Sequence, residues 1–192
     1  SLVYSVIFLG FMSFIVWAHH MFTSGMPNYL HGPFLIMTEA ISVPTGLIFL
    51  CALGTIWMGR LWLTAPMLFA MAVIFNFACG GVTGIFLAHV PTDIHLHDTY
   101  FVVAHFHYTI VGGEIFGLFA GIYYWFPKMT GRMYNERLAK LHFWWMFIGF
   151  NVTFMTQFFL GHQGMPRRYF AYLPEYQLMH QISTIGSYIL AI

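Results

Sequence analysis

Residues 100–127 read YFVVAHFHYTIVGGEIFGLFAGIYYWFP. Apart from its histidines, this run holds one ionisable acid, Glu114, and no Lys or Arg. At about 1.5 Å of rise per residue it is long enough, as a helix, to cross a hydrocarbon core about 30 Å thick. Lipid offers no hydrogen bonds to an open backbone, so a run this apolar has to close its hydrogen bonds internally as a helix. Five other runs share its character. The sequence therefore predicts spans near 1–22, 34–59, 64–90, 100–127, 140–163 and 177–192, which make up one all-α transmembrane domain over 1–192. Pro44 and the glycines Gly80, Gly81, Gly112 and Gly113 fall inside spans, where membrane helices use them for close packing.

Composition supports this reading. With 59% hydrophobic and 7% charged residues, the chain cannot cover a water-soluble globule. A net charge of +1 without a basic stripe excludes nucleic acid as a partner. Cys51 and Cys79 stand alone in apolar runs, so they read as packing residues rather than as a disulfide or a thiolate metal site. The opening at Ser1 lacks the charged n-region of a signal peptide, and both ends read as cuts through a longer polypeptide. Lys128, Arg132, Arg137 and Lys140 after the fourth span, and Arg60 after the second, mark the inner side. Loops 23–33 and 91–99 carry no Lys or Arg and read as outer. One outer loop, 164–169, breaks the rule with Arg167 and Arg168, which calls for a fixed anionic partner there.

Histidine occurs 11 times, more often than Lys and Arg together (7) or Asp and Glu together (6), and this imbalance points to metals. His105 and His107 are two residues apart, so on a helix they project about 200° apart and cannot serve one ion. They can serve two cofactors flanking the same helix, and imidazole is a natural axial ligand for heme iron. Hydrogen-bonded packing is the alternative for each taken singly. His19 and His20, after Trp17-Ala18 at the end of the first span, can share one ion if the helix loosens there; otherwise they are interfacial residues beside an aromatic belt.

Taken together, Trp17-Ala18-His19-His20, the run from His97-Asp98-Thr99-Tyr100 to Tyr108, and Gly164-Met165-Pro166-Arg167-Arg168-Tyr169 resemble subunit I of the heme-copper oxidase superfamily. The resemblance covers the whole chain and corresponds to helices seven to twelve of a twelve-helix subunit. It implies that His19 and His20 are two of three copper B ligands, that His105 is the proximal ligand of a high-spin heme, and that His107 ligates a low-spin heme. Phe106 would lie between the hemes. His97 and Asp98 match a magnesium or manganese site, and Arg167 and Arg168 a pair that holds heme propionates. The implied activity is reduction of oxygen to water, with electrons from cytochrome c or quinol and coupled proton uptake. The implied location is a bacterial plasma membrane or mitochondrial inner membrane. The implied partners are the N-terminal half of the subunit, other oxidase subunits including the one that delivers electrons, and lipid. The third copper ligand and the second low-spin ligand are expected upstream.

The sequence also departs from that pattern. Where the common oxidase carries a proton-delivering lysine, this chain has Ile48, although Thr45 is kept. Glu39, on the same helix, lies at the depth expected of the copper-heme centre, and a carboxylate there is costly, about 2.5–3.5 kcal/mol unless paired. Glu114 follows His107 by seven residues, about 340° round an α-helix, and so is expected on the low-spin heme face as a proton relay. Protonated or hydrogen-bonded structural roles are the alternative for both acids. These features admit a second function, that of a nitric oxide reductase of the same superfamily with non-heme iron and Glu39 near it.

Overall fold

The computed structural model describes residues 1–191, and among these no strand is present. The helices are α1 (Leu2–Ser13), α2 (Asn28–Ala40), α3 (Ser42–Ile56), α4 (Ala65–Ala88), α5 (Val90–Leu96), α6 (Tyr100–Thr109), α7 (Phe116–Thr130), α8 (Glu136–His162) and α9 (Gln177–Ala191). A π-helical segment, Ile110–Ile115, joins α6 to α7, and 3₁₀ turns cover Trp17–Met21 and Pro174–Tyr176.

Four stretches are long and apolar enough to cross a membrane: Asn28–Ile56, Ala65–Ala88, Tyr100–Thr130 and Glu136–His162. They coincide with the second to fifth predicted spans. The first predicted span is interrupted. α1 stops at Ser13, whose hydroxyl donates back to the Leu9 carbonyl at 2.9 Å, and β-branched Ile15 and Val16 follow. The chain resumes as the 3₁₀ turn that carries His19 and His20, which is the loosening their pairing required. α9 begins where predicted, with 15 residues; the predicted end of that span, Ile192, lies outside the described residues.

The second span is two helices. Pro44 has no N–H to give the Ala40 carbonyl, so the helix breaks at Ile41, and the hydroxyls of Ser42 and Thr45 donate to the carbonyls of Glu39 (2.5 Å) and Ile41 (2.8 Å). The supposed outer loop 91–99 is mostly helix. Pro91 starts α5 at a position where no N–H is needed, and Asp93 lies in its positive first turn.

The chain divides into two compact units, 1–59 with 81–97 and 60–80 with 98–191. In the first, α1 packs on α3. Ser1 Oγ lies 3.6 Å from Cys51 Sγ, while Trp17 meets Phe34 edge-on at 5.3 Å, so the two runs are antiparallel. In the second, α8 is the central element, packed by α6 and α9. Glycine makes those crossings possible. A Cβ at Gly149 would lie 2.6 Å from Leu190 N, one at Gly186 2.6 Å from Thr153 N, and one at Gly161 would overlap the Phe101 backbone. Gly80, Gly112 and Gly113 mark close approaches as predicted, against Thr109, Asn76 and Phe77; Gly81 does not, since a Cβ there meets open space. The inner end of this unit is fastened by Glu136, whose Oε1 accepts from Ala65 N at 2.7 Å and lies 3.7 Å from Lys140 Nζ.

Candidate cofactor and metal sites

α6 carries the two histidines on which the functional reading depends. The His107 ring stacks on Phe154 of α8, with centroids 4.0 Å apart and planes 16° from parallel. Its Nδ1 is 2.8 Å from the Val103 carbonyl. A carbonyl can only accept, so Nδ1 holds the proton and Nε2 the lone pair, the form that a metal takes. His105 is set in the same way by a different group. Its Nδ1 donates to the Gly80 carbonyl of α4 at 2.9 Å, which again gives Nε2 the lone pair. A backbone carbonyl on the far nitrogen is the usual outer-shell arrangement of a metal-bound imidazole.

Beside His107 opens a cavity of about 610 Å³ lined by Tyr100, Val103, Phe106, His107, Thr153, Phe154, Gln157, Arg167 and Arg168. Its size falls within the range of cofactor pockets. His105 does not line it, as the two-residue spacing predicts. The donor set suits an iron porphyrin: one imidazole with a fixed lone pair, aromatic residues, and two arginines in the lining that could pair with carboxylates.

The two arginines have an anionic partner within the chain, Asp98. Arg167 Nε is 3.0 Å from Asp98 Oδ1 without aiming its N–H at it, so the pair is an ion contact rather than a hydrogen bond; Arg168 Nη1 is 3.7 Å from the same oxygen. The Arg167 N–H donates to the Asp98 carbonyl at 2.9 Å, and Thr99 and Pro166 form an isolated antiparallel bridge. Asp98 and Arg168 both have positive φ, 54° and 66°, a conformation that costs energy in residues with a side chain. In the other unit, His97 Nδ1 lies 2.7 Å from Asp93 Oδ2, a buried carboxylate that nothing in the sequence reading singled out.

His19 and His20 converge, with Nε2 atoms 2.9 Å apart. Two imidazoles held at about 2.0–2.1 Å from one ion and at right angles to each other place their nitrogens at about this separation. On the other side of His19, Nδ1 is 3.4 Å from the Thr38 hydroxyl, which itself donates to the Phe34 carbonyl. Among the described residues, no group of three or more His, Cys, Asp or Glu side chains is arranged around one ion, so this pair supplies two donors and not a complete site. Glu39 is half-buried and next in sequence to Thr38, and among the described residues its carboxylate makes no hydrogen bond or ion pair.

Glu114 departs from its expected place. It lies in the π segment, is exposed, and does not line the His107 cavity. A π turn holds more residues than an α turn, so the 100° step that put Glu114 on the His107 face fails across Ile110–Ile115. The sequence reading also missed the groups that orient these histidines: Thr38, the carbonyls of Gly80 and Val103, and Phe154. Only Gly80 left a signal, as a glycine where two helices approach.

The described residues thus define an all-helical protein with helices long and apolar enough to cross a membrane, in which one helix carries two imidazoles fixed by different backbone carbonyls. Residues 1–189 match the family model for cytochrome c and quinol oxidase polypeptide I, and the chain belongs to that family. It is 52% identical over 191 residues to cytochrome c oxidase subunit 1 of Synechocystis sp., covering 100% of this chain and 35% of that protein. It is 48% identical to cytochrome c oxidase polypeptide 1 of Halobacterium salinarum, covering 99% of this chain and 32% of that one. The chain thus spans about a third of the length of these relatives. A solved heme-copper terminal oxidase dimer shares the fold, with a TM-score of 0.80 over 92% of this chain and 37% of that one, at 23% identity.

Proposed function

We propose that the chain is the ligand-bearing part of a terminal oxidase subunit I in a respiratory membrane, and that the complete enzyme reduces oxygen to water with electrons from cytochrome c or quinol. The observation that carries this reading is the pair His105 and His107, each with Nδ1 on a backbone carbonyl and only one of them opening on the 610 Å³ cavity. His107 would hold a low-spin heme in that cavity, with Arg167 and Arg168 at its carboxylates. His105 would hold a high-spin heme, with Phe106 between the two. His19 and His20 would supply two ligands of copper B, and His97 and Asp98 would serve a magnesium or manganese ion, a hard cation suited to carboxylate and water. When bound, the hemes and copper supply the electron transfer and oxygen-bond chemistry.

The chain's own part is to fix these donors. Val103 and Gly80 set the tautomers, Phe154 holds the His107 plane, and Thr38 orients His19 by accepting from its Nδ1. Apolar helices exclude stray water around them. The remainder of the subunit and its partner subunits would complete the copper and low-spin sites.

Glu39 favours a second reading. A half-buried carboxylate one residue from the group that orients His19 suits non-heme iron better than copper, and therefore nitric oxide reduction. Metal analysis of the intact enzyme decides between them. One copper per two hemes is the expected result; non-heme iron in its place overturns oxygen reduction.

A further inference from the structure

Three polar side chains meet where α4, α6 and α8 approach one another, and none of them is a ligand in the function proposed above. Tyr108 of α6 is fully enclosed, and its hydroxyl donates to Asn151 Oδ1 of α8 at 2.8 Å. Asn151 directs its amide protons two ways, to the Phe147 carbonyl one turn back at 2.9 Å and to Asn76 Oδ1 of α4 at 3.4 Å. Asn76 is fully enclosed as well. A Cβ at Gly112 would lie 2.7 Å from Asn76 Cβ, so this side chain also bears on the π segment.

Each of the three stands within about one helical turn of a histidine or of a group that fixes one. Asn76 precedes by four residues Gly80, whose carbonyl accepts from His105 Nδ1 at 2.9 Å. Asn151 precedes by three residues Phe154, on which the His107 ring stacks at 4.0 Å. Tyr108 adjoins His107 in sequence and follows His105 by three residues. Over so short a stretch a hydrogen-bonded helix moves as one piece. The bonds from Asn76 through Asn151 to Tyr108 therefore set the levels of Gly80, Phe154 and both histidines against one another.

Stability does not account for the arrangement. Asn76 Nδ2 is buried and, among the described residues, has no acceptor, a costly state for an amide between apolar helices. Leucine, close to asparagine in size, would fill the place without that cost. Phe150 and Phe158 already pack the Tyr108 ring, with centroids 4.9 and 5.3 Å away, so the ring is held without its hydroxyl.

We propose that Asn76, Asn151 and Tyr108 are positioning residues, which lock α4, α6 and α8 in the register at which His105 and His107 present Nε2 to their metals. Asn76 acts on His105 through Gly80, Asn151 on His107 through Phe154, and Tyr108 on both. The inference rests on the function proposed above and concerns the fine placement of the two imidazoles.

The test uses the intact enzyme carrying Asn76→Leu, Tyr108→Phe or Asn151→Leu. Thr156→Val serves as the comparison, since it removes from α8 only a hydroxyl bond to the Val152 carbonyl. The readouts are the iron–imidazole Raman band of the reduced high-spin heme, the electron paramagnetic resonance of the low-spin heme, and the thermal midpoint. Asn76→Leu is expected to shift the Raman band alone, with a midpoint at or above the parental one. Tyr108→Phe is expected to shift both spectra and to slow electron transfer between the hemes by about tenfold or more. Parental spectra in Asn76→Leu and Tyr108→Phe overturn the proposal, and so do equal shifts in Thr156→Val. Should Asn151→Leu fail to assemble, the other two variants decide by the same spectra. A parent enzyme without heme bands tells instead against the proposed function, so the two failures are distinguishable.

Discussion

A histidine is a dependable ligand only when its other nitrogen is spoken for, and in α6 that nitrogen is bonded twice over to backbone: Val103 for His107, Gly80 for His105. Because the two rings serve different flanks, their losses should separate. His105→Ala in the intact enzyme is expected to remove the high-spin heme spectrum and leave the low-spin bands, and His107→Ala to do the reverse; optical spectra of the reduced enzyme check both, and the opposite pattern would reverse the assignment. That His105 and His107 meet different groups was legible from spacing, since two positions on a helix differ by a fixed angle. The fixing groups were not, because a backbone carbonyl has no signature in sequence and Gly80 is 25 positions away from the histidine it orients.

Helices that cross closely tolerate no Cβ at the crossing, and α8 shows this at Gly149 and Gly161. Gly161→Ala would drive a methyl group into the Phe101 backbone and is expected to destabilise the α6–α8 packing by about 1–3 kcal/mol, read as a lower thermal midpoint of the assembled enzyme. Gly81→Ala, which meets open space within the chain, serves as the comparison and should cost less. Four of the spans were legible because long apolar runs in lipid have one backbone solution. The breaks at Ser13 and Ile41 and the π segment were not, because they arise from hydroxyl back-bonding, a missing proline N–H and one extra residue in a turn, none of which alters hydropathy. Glu114 was misplaced for that last reason alone. Shortening 110–115 by one residue should restore α-helical phase and turn α7 against its neighbours, with loss of assembly as the measured outcome.

At the scale of the molecule, the described residues bring histidines together in pairs and complete no cluster of three metal-binding side chains. Expressed by itself, this stretch is expected to show no oxygen consumption in a polarographic assay and no stable copper; co-expression with the remainder of the subunit should restore both. Turnover by the isolated stretch would mean that its own residues suffice.

The Glu136 contact bears on the order in which the second unit forms. The first turn of α4 finds its acceptor 71 residues later in the chain. During synthesis that turn therefore waits, its leading N–H unanswered, until the start of α8 has emerged. The segment between must be threaded before the clasp can shut, so early folding of this region belongs to α6 and its neighbours rather than to the inner tip of α4.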